Sequence, residues 1–370
     1  MKNITFLLPN MDVGGVQRVN SVVADSLNED YNVNILLTQN KNIEFLTTVS
    51  CSVVERYTKI EDYILRAVKK MPRNLDVIEY QLDKVMVKKI VANLKNLGTD
   101  IVIVSADLIL QVPLLKKMMP NITIISWVHN NIDIYINNYF KYKQKQLILG
   151  LEMSDSIVCL TGYDLEKISE MNNNTICIAN PLTLENNTVS KLNKPYIVCV
   201  ARYSINHKGL DYLIEIASKL PDPWIIKLVG SGNKKEQREI AKLITKWDAH
   251  KKIELCGNLN GLNLSKCYRE SSIYLMTSRW EGFGLVLVEA MSFGLPIIAF
   301  SQTGSDEVLQ HGKFGVIVEQ GNINAMVEAL LEIINSPEKI KVLSDLSIKR
   351  TESFNISTIS NQWKLVINSI

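Results

Sequence analysis

Short apolar runs rich in β-branched residues alternate with segments of helical period along this chain. Residues 4–8 (ITFLL) form such a run, and a helical pattern at 16–28 and a second run at 32–38 follow it. This alternation is typical of βαβ units and predicts a parallel sheet covered by helices. The same alternation begins again at residues 195–201 (PYIVCVA), after a stretch rich in Asn, Pro and Ser. We therefore predict two doubly wound α/β units in series.

The length of the chain supports a division into two domains, because 370 residues with 46% hydrophobic content suffice for about two buried cores. We assign residues 1–180 to a first Rossmann-like domain, 181–194 to a linker and 195–355 to a second Rossmann-like domain. The amphipathic segment 356–370 is predicted to be a helix that crosses back to the first domain. Parallel sheets of this kind bind ligands at the carboxyl ends of their strands, so we expect a site in a cleft between the domains.

Charge, cysteine usage and hydropathy narrow the class of protein. The formal net charge of +3 argues against a dedicated nucleic-acid binder. No CxxC pair is present, and we expect buried thiols in a reducing compartment, without a disulfide framework or zinc site. No signal peptide or membrane-spanning run is visible, which predicts a cytoplasmic protein with room for peripheral association at the inner face of the membrane. The six cysteines are Cys51, Cys159, Cys177, Cys199, Cys256 and Cys267.

The first predicted strand leads into the loop PNMDVGGVQRV, where two glycines precede a helix. Gly14 and Gly15 permit a sharp turn and a close approach of the backbone to a ligand at a helix N-terminus. Arg18, one turn into the helix, favours a phosphate or sugar nearby, although a plain glycine turn remains an alternative. The loop lacks the third glycine of a dinucleotide fingerprint, and the second strand ends in LLTQNKN without an acidic residue, so NAD is disfavoured.

Two cations follow the first strand of the second unit, in VARYSINHKGLDYLIEI. Arg202 lies just past the strand, and Lys208 immediately precedes a helix that is predicted to start near Gly209. A helix N-terminus with two nearby cations favours an anion such as a diphosphate, whereas ordinary surface charges are the alternative reading. Gly230 opens a similar turn after the next strand, in LVGSGN.

Two carboxylates lie eight residues apart in SRWEGFGLVLVEAMSFGLPIIAF. Glu281 is predicted in the loop before a helix that begins near Gly284, and Glu289 about a turn inside that apolar helix. A carboxylate can accept two hydrogen bonds from a vicinal diol, which suits a ribose at Glu289 and sugar hydroxyls at Glu281. The backbone amides of Phe283, Gly284 and Leu285 are expected to be exposed to a phosphate. Two glutamates placed only by the helix dipole would explain Glu281 but not Glu289.

The segments GGVQR, ARYSINHKG, VGSGN and EGFGLVLVE occur in this order and at these intervals. The set resembles the retaining glycosyltransferases of family 4, which have two Rossmann-like domains in the GT-B arrangement. The resemblance covers essentially the whole chain and is strongest from 195 to 335. It implies transfer of a hexose or N-acetylhexosamine from a UDP-sugar to a glycan hydroxyl, in surface polysaccharide or glycoconjugate biosynthesis, with no separate cofactor.

The resemblance also implies roles for individual residues of the second unit. Arg202 and Lys208 match the pair that neutralises the diphosphate of the nucleotide-sugar. Glu289 matches the ribose ligand, and Glu281 with the amides after it matches the contact to the donor sugar. The turn at Gly230 belongs to the same predicted nucleotide-sugar site.

Further implied roles fall in both units. Gly15 would cap the phosphate from the first domain, and Gly14 and Arg18 are expected on the acceptor side. His129, in SWVHNN, matches a histidine at a strand end that reaches the transferred sugar, although a lone histidine there is also compatible with a structural role. The turn at residues 258–259, formed by Asn258 and Leu259, resembles the one that contacts the base.

The mechanism is predicted from what the sequence contains. No DxD motif is present, so we expect the charge opposing the leaving diphosphate to come from Arg202, Lys208 and helix dipoles, without a required metal. Double displacement would need a carboxylate on the far face of the sugar. The resemblance instead favours attack on the same face as the departing phosphate, whose oxygen accepts the proton of the acceptor.

The acceptor is predicted from the stretch between Arg56 and Lys145, in which basic residues outnumber acidic ones and YINNYFKYK interleaves aromatic side chains. Such a face is suited to anionic lipid and to a glycan linked to a polyprenyl diphosphate, with ordinary solvated helix faces as the alternative. Two other functions stay open from the sequence. They are a nucleotide-sugar epimerase of GT-B shape and a non-catalytic glycan-binding subunit.

Overall fold

The computed structural model describes residues 1–12, 14–39, 47–54, 75–184 and 188–370, with side chains from residue 80 onward in the helix that starts at residue 75. The chain folds into two compact units. The first comprises Met1–Pro181 together with Ile356–Ile370, and the second comprises Leu182–Asn355. Each unit contains a parallel sheet with helices between successive strands, which is the predicted fold class.

The strands of the first unit form a seven-stranded sheet in which every described pairing is parallel. These strands are β1 (Asn3–Leu8), β2 (Asn32–Leu37), β3 (Ser50–Val53), β4 (Ile101–Ser105), β5 (Thr123–Trp127), β6 (Ser156–Cys159) and β7 (Thr175–Cys177). Their order is β3-β2-β1-β4-β5-β6-β7, so the chain leaves β1 in one direction and later returns to its other side at β4. The carboxyl ends of β1 and β4 therefore flank a topological switch point, where doubly wound folds bind ligands.

The helices of the first unit connect these strands. They are α1 (Gly15–Leu27), α2 (Leu75–Asn96), α3 (Val112–Met118), α4 (Ile132–Ile134), α5 (Gln144–Glu152) and α6 (Gly162–Ser169). A 3-10 segment (Ala106–Gln111) precedes α3, and a π-helical turn (Tyr135–Tyr139) continues α4.

The second unit repeats the topology with a six-stranded parallel sheet. Its strands are β8 (Tyr196–Val200), β9 (Ile225–Val229), β10 (Ile253–Gly257), β11 (Ile273–Met276), β12 (Ile297–Phe300) and β13 (Val316–Val318). Their order is β10-β9-β8-β11-β12-β13. The switch point of this sheet lies between β8 and β11.

The helices of the second unit are α7 (Ile205–Lys208), α8 (Leu210–Ser218), α9 (Lys234–Lys246), α10 (Gly261–Arg269), α11 (Leu285–Ser292), α12 (Thr303–Val308), α13 (Ile323–Ile334) and α14 (Pro337–Thr351). The last helix, α15 (Ile356–Ser369), belongs to the first unit. Within that unit Trp363 of α15 stacks edge-on against Trp127 of β5, with ring centroids 4.6 Å apart.

Helices cover both faces of each parallel sheet, so neither face is exposed to solvent. The strands are therefore apolar throughout, and polar and apolar residues do not alternate along them. All residues of β4, β6, β11 and β12 are buried. Each unit has its own hydrophobic core of buried strand and helix residues. The predicted strands at 4–8, 32–38 and 195–201 match β1, β2 and β8 to within one residue at each end.

Two features of the fold differ from the sequence-based expectation. The strands β3 and β7 have no long apolar run, and they form at the edges of the first sheet by pairing with β2 and β6. All six cysteines are free thiols, but the expectation that all are buried is wrong for three of them. Cys51, Cys177 and Cys256 are half-buried because they lie in edge strands of the two sheets.

Candidate functional site

The loops after β8 and β11 meet at the switch point of the second sheet. Arg202 lies two residues past β8, and Lys208 is the last residue of α7. Gly209 follows with φ +59°, and a Cβ atom on it would lie 2.0 Å from the carbonyl oxygen of Thr277, so this position requires glycine. The Thr277 hydroxyl donates a 3.0 Å hydrogen bond to the carbonyl oxygen of Lys208. The Thr277 side chain therefore bonds the backbone of the other loop and holds the two loops together.

An ion pair joins the two loops through their side chains. The ammonium of Lys208 contacts Oε1 of Glu281 at 2.6 Å, and the Ser278 hydroxyl donates to the same oxygen at 2.6 Å. The side chains of the pair are only 13% and 11% exposed. Burial acts to raise the pKa of Glu281, but the charge of Lys208 and the hydrogen bonds from Lys208 and Ser278 outweigh it and hold the pKa below its ordinary value. Glu281 is therefore ionised at neutral pH.

The backbone of Glu281 is also fixed. Its N–H donates to Oε1 of Gln302 at 3.1 Å, and its carbonyl oxygen accepts from the Thr303 hydroxyl at 3.3 Å. A Cβ atom on Gly304 would lie 2.8 Å from the carbonyl oxygen of Phe283 and 3.0 Å from Cβ of Glu281, so the start of α12 packs directly on this loop. Glu281 is therefore held by contacts to both its side chain and its backbone.

Glu289 lies inside α11 and is 3% exposed. Its Oε2 accepts a 3.1 Å hydrogen bond from the hydroxyl of Tyr268, whose ring stacks on Phe293 with centroids 5.1 Å apart. Burial and then the charge of Glu289 raise the pKa of Tyr268 well above its ordinary value, so the phenol stays protonated and donates. A buried carboxylate with a neutral hydrogen-bond donor is suited to accept further hydrogen bonds from a ligand hydroxyl.

A histidine next to Lys208 completes the neighbourhood of the ion pair. His207 stacks on Trp280 with centroids 4.5 Å apart, and its Nε2 donates to the carbonyl oxygen of Trp280 at 3.0 Å. Burial and then the charge of Lys208 lower the pKa of His207 to about 4, and the charge of Arg202 acts in the same direction. The side chain of Arg202 is exposed. The positive charge of Arg202 and Lys208 is thus concentrated beside a neutral histidine.

The remaining predicted residues of the second unit lie in neighbouring loops. Gly230, at φ +140°, follows β9, and a Cβ atom there would lie 2.0 Å from the carbonyl oxygen of Ala201. Of the residues that carry the predicted amides, Phe283 and Gly284 are buried and Leu285 is half-buried. The ring of Phe283 packs edge-on against Phe354, with centroids 5.7 Å apart.

The predicted base-contacting turn follows the edge strand β10. Asn258 is exposed and Leu259 is half-buried in this turn, which leads into α10.

In the first unit, His129 lies two residues past β5 and is 8% exposed. Its Nε2 is 3.1 Å from Nδ2 of Asn20 and 3.1 Å from Oγ of Ser105, the last residue of β4. Since the amide nitrogen of Asn20 can only donate, Nε2 is an acceptor and the proton lies on Nδ1. Burial lowers the pKa of His129 to about 3, so the ring is neutral at neutral pH.

The surroundings of His129 fix the orientation of its ring. The Asn20 amide also donates to the carbonyl oxygen of Val16 at 2.8 Å, and Trp127 packs on the imidazole with centroids 4.4 Å apart. Nδ1 is buried and has no hydrogen-bond partner within the described ranges of the chain. His129 is therefore a neutral imidazole whose Nδ1–H is buried and makes no hydrogen bond to the described residues.

The glycine turn before α1 is only partly as expected. Gly14 is the N-cap residue of α1 and has φ −178°, an extended conformation open to any residue, so its backbone does not require glycine. A Cβ atom there would meet only the side chain of Gln17, at 2.4 Å from Oε1. Gly15 is exposed at the first position of α1, and Arg18 is half-buried in its first turn.

Direct contacts join only some of the predicted residues. In the second unit Lys208 pairs with Glu281, and the charge of Arg202 helps to lower the pKa of His207. Glu289 is hydrogen-bonded to Tyr268. Sequence reasoning missed the residues that hold these groups. Only Ser278 carried a signal, three positions before Glu281. The others are distant in sequence from the groups they contact, and they are Asn20, Ser105, Tyr268 and Gln302.

Among the residues that the structure describes, no group of three or more His, Cys, Asp or Glu side chains is arranged to hold a metal ion. The helices in the same residues are all too short or too polar to span a membrane.

Comparison with known proteins agrees with the fold. The family described as "Glycosyl transferases group 1" matches residues 183–350. An uncharacterized glycosyltransferase of Haemophilus influenzae is 32% identical over 99% of this chain and 100% of its own length. A poly(ribitol-phosphate) alpha-N-acetylglucosaminyltransferase of Staphylococcus aureus is 24% identical over 65% of this chain and 49% of its own length.

Among solved structures, the Anabaena protein HepE in complex with UDP and glucose has a TM-score of 0.80, with 16% identity and full coverage of both chains. That likeness identifies the fold as the two-domain GT-B type. The full-length similarity to the Haemophilus protein, together with the family match, shows that this chain belongs to the glycosyltransferases of group 1.

Proposed function

We propose that the protein is a retaining glycosyltransferase that moves a hexose or N-acetylhexosamine from a UDP-sugar to a hydroxyl of a glycan. The observation that carries the proposal is the buried pair of Lys208 and Glu281 at the switch point of the second sheet, 2.6 Å apart. Doubly wound folds bind their ligands at the switch point, so the position of this pair favours a functional role. HepE was solved with UDP and glucose, which supports a donor of this class.

The donor would be recognised by positive charge at its diphosphate and by one carboxylate on either side of it. Lys208 and Arg202 supply positive charge for the diphosphate, and the growing charge on the leaving phosphate is what catalysis has to stabilise. Glu289 accepts hydrogen bonds from the ribose diol while Tyr268 holds its other oxygen. Glu281, kept ionised by Lys208, accepts from hydroxyls of the donor sugar.

The transfer step follows from the same charges. Departure of the diphosphate is assisted by Lys208 and Arg202, without a required metal, and the acceptor attacks on the face that the phosphate leaves. The acceptor proton passes to the departing phosphate oxygen. His129, neutral and with its proton on Nδ1, acts as a hydrogen-bond donor to the transferred sugar and not as a base.

The acceptor is proposed to be a saccharide linked to a polyprenyl diphosphate, approached at an anionic membrane surface. On the first unit, Tyr139 is 53% exposed and Tyr142 is 93% exposed, and Lys141 and Lys145 are exposed beside them. Aromatic rings interleaved with lysines are suited to the headgroup region of anionic lipid. Lys116 is not part of this face, because it is paired with Asp155. The basic segment around residues 56–74 lies outside the described residues.

Donor binding and hydrolysis test the function. The purified protein is incubated with UDP-, GDP- and ADP-sugars, and release of free sugar and nucleotide is followed by NMR, which also reveals an epimerised donor. We expect hydrolysis of a UDP-sugar that is unaffected by chelation of divalent metals. The anomeric configuration of the released sugar, recorded before it mutarotates, reports retention. Binding of none of the three nucleotides, or an epimer as the main product, would contradict the proposal.

Matched variants test the assigned residues. Calorimetry with UDP is expected to show at least about tenfold weaker binding for Glu289→Gln, since each lost hydrogen bond to a charged group is worth about 1.5–3 kcal/mol. Tyr268→Phe, which leaves the carboxylate in place, is expected to show a smaller loss. Glu328→Gln, on an exposed position of α13, is the control and should bind as the wild type does. Equal UDP affinity in Glu289→Gln and the control would remove the ribose assignment.

Membrane association has its own test. Sedimentation with vesicles of phosphatidylglycerol is compared with vesicles of phosphatidylcholine, and the variant with Lys141→Gln and Tyr142→Ser is run beside the wild type. Preferential binding to the anionic vesicles that the variant loses is the expected result. Equal sedimentation with both lipids would contradict the anionic surface.

A further inference from the structure

The short helix α7 carries Lys208, and the loop after β11 bonds its carbonyl groups. The last four carbonyl groups of a helix have no partner within the helix, and α7 has four residues. The Arg279 guanidinium donates to the carbonyl oxygens of Ile205 at 3.2 Å and Asn206 at 3.0 Å. The backbone N–H of Arg279 donates to the carbonyl oxygen of His207 at 2.8 Å. Arg279 therefore bonds three of the four carbonyl groups of α7.

The side chain of Arg279 is itself fixed by the next helix, α8. Its Nη1 and Nη2 donate to Oδ1 and Oδ2 of Asp211, in the first turn of α8, at 3.0 and 2.7 Å. The guanidinium also lies over the ring of Tyr212, with Cζ 4.0 Å from the ring centroid. A bidentate pair with a carboxylate sets the plane of a guanidinium as well as its position. Arg279 therefore links α7 to α8 in a defined orientation.

Alternate residues of the loop after β11 contact α7. The Thr277 hydroxyl bonds the carbonyl oxygen of Lys208, and the carboxylate of Glu281 pairs with the ammonium of the same lysine. Arg279 lies between these two residues in the sequence and bonds the rest of the helix. The loop is held in turn by Gln320, whose Nε2 donates to the carbonyl oxygen of Arg279 at 3.3 Å. The position of the Lys208 ammonium therefore depends on how Arg279 docks α7 onto this loop.

A second arginine of the same unit makes similar contacts away from the ion pair. Arg350 of α14 donates to the carbonyl oxygens of Val308 at 2.8 Å and Glu307 at 3.1 Å, at the end of α12. Both arginines thus bond carbonyl groups at the C-terminal end of a short helix. They differ in what that helix carries, because α7 ends in Lys208. Arg350 therefore serves as a matched comparison for the effect of such a contact on folding alone.

We propose that Arg279 is a positioning residue for the diphosphate of the donor, because it docks α7 so that the Lys208 ammonium lies in place before the donor binds. The inference rests on the proposed function, in which Lys208 contacts the diphosphate. An ammonium that is already held in position loses little conformational freedom on binding, and it stabilises developing charge without rearrangement. Loss of Arg279 leaves the charge of Lys208 intact but removes the contacts that place it.

Binding of UDP, measured by calorimetry, tests the role of Arg279. Arg279→Gln is expected to bind UDP about fivefold more weakly, because a misplaced ammonium keeps only part of the roughly tenfold contribution of one charged hydrogen bond. Arg279→Lys retains a positive charge but not the planar fork, so it should show a similar loss. Arg350→Gln is the control and should bind UDP as the wild type does. Wild-type affinity in both Arg279 variants, recovery by lysine alone, or an equal loss in the control would overturn the proposal.

A double variant separates positioning from a general loss of structure. In the Lys208→Met background no ammonium remains to be positioned, so adding Arg279→Gln should change the UDP affinity little. An equal loss in both backgrounds would mean that Arg279 acts on the fold and not through Lys208. Asp211→Asn keeps Arg279 but weakens its bidentate anchor, and it should give a smaller loss of affinity in the same direction. Because the Asp211 side chain is 33% exposed, this variant is expected to fold even if Arg279→Gln does not.

Urea unfolding tests the positioning of Lys208 without any nucleotide. If Arg279 holds Lys208 against Glu281, Lys208→Met should destabilise the Arg279→Gln variant less than it destabilises the wild type. Additive losses of stability in the two single variants and the double variant would overturn the positioning role. Failure of the wild type to bind UDP would instead contradict the proposed function, and the coupling in unfolding would still decide whether Arg279 positions Lys208.

Discussion

Because His129 is buried and neutral, we predict that the free energy of unfolding depends on pH. A substitution of His129 separates its contribution from those of the other titrating groups. The imidazole has a pKa of about 3 in the folded protein because burial disfavours its charged form, whereas its ordinary value is 6.5. An imidazole whose pKa is lower in the folded protein than in the unfolded chain binds protons more readily in the unfolded chain. Its contribution to stability is therefore complete above about pH 6.5 and is lost progressively as the pH falls towards 3.

The magnitude follows from these two pKa values. Between about pH 7 and pH 5 the unfolded imidazole becomes protonated and the folded one does not, which lowers the free energy of unfolding by about 2 kcal/mol. The matched variant is His129→Gln, because the amide of glutamine can hydrogen-bond to Asn20 and Ser105 but does not titrate. The wild type should lose about 2 kcal/mol more than the variant over this pH range.

Urea unfolding, followed by tryptophan fluorescence, measures the free energy of unfolding of both proteins at each pH. Trp127 and Trp363 stack in the core next to His129 and report on the first unit. The difference between wild type and variant removes the contributions of the groups that they share. NMR titration of the imidazole C–H signals provides a direct check, since the signal that the variant lacks belongs to His129.

Two results would refute the reasoning. One is a pH dependence of stability that is the same in the wild type and His129→Gln within about 0.5 kcal/mol, the limit of additivity for such comparisons. The other is a His129 signal that titrates near its ordinary value. Either would mean that the imidazole is solvated or finds an acidic partner in solution.

Two further predictions concern the loops at the switch point of the second sheet. Gly209→Ala should destabilise the protein by about 2–4 kcal/mol in urea unfolding, because of its left-handed φ and a Cβ clash with Thr277. Gly257→Ala, at φ +69° with open space around it, is the control, and a cost as large as that of Gly209→Ala would refute the clash. Lys208→Met should cost about 3 kcal/mol at neutral pH by leaving Glu281 buried without its cation. Adding Glu281→Gln should recover part of that loss, and equal stability of the single and double variants would contradict the strength of the pair.

The sequence predicted the strands with long apolar runs, because a strand covered on both faces has to be apolar throughout. It could not predict β3 (SCSV) or β7 (TIC), which form only because β2 and β6 offer them an edge to pair with. The prediction that all six cysteines are buried was wrong for three of them, for a related reason. Cys256 lies in an apolar sequence but in an edge strand, and strand order is a tertiary property.

The local sequence also identified the candidate site residues. Lys208 next to Gly209, and Glu281 in a glycine-containing loop before a helix, can be recognised as strand-to-helix turns from neighbouring residues alone. Their pairing was not predicted, since it depends on β8 and β11 being neighbours in the sheet although 73 residues separate the two side chains. The sequence by itself determined which residue types stand at the carboxyl ends of the strands, because apolar periodicity and turn chemistry are local. Only the tertiary structure decided which ends meet, and with that the partners of Glu281, Glu289 and His129, because contacts across a sheet depend on the strand order that the whole chain adopts.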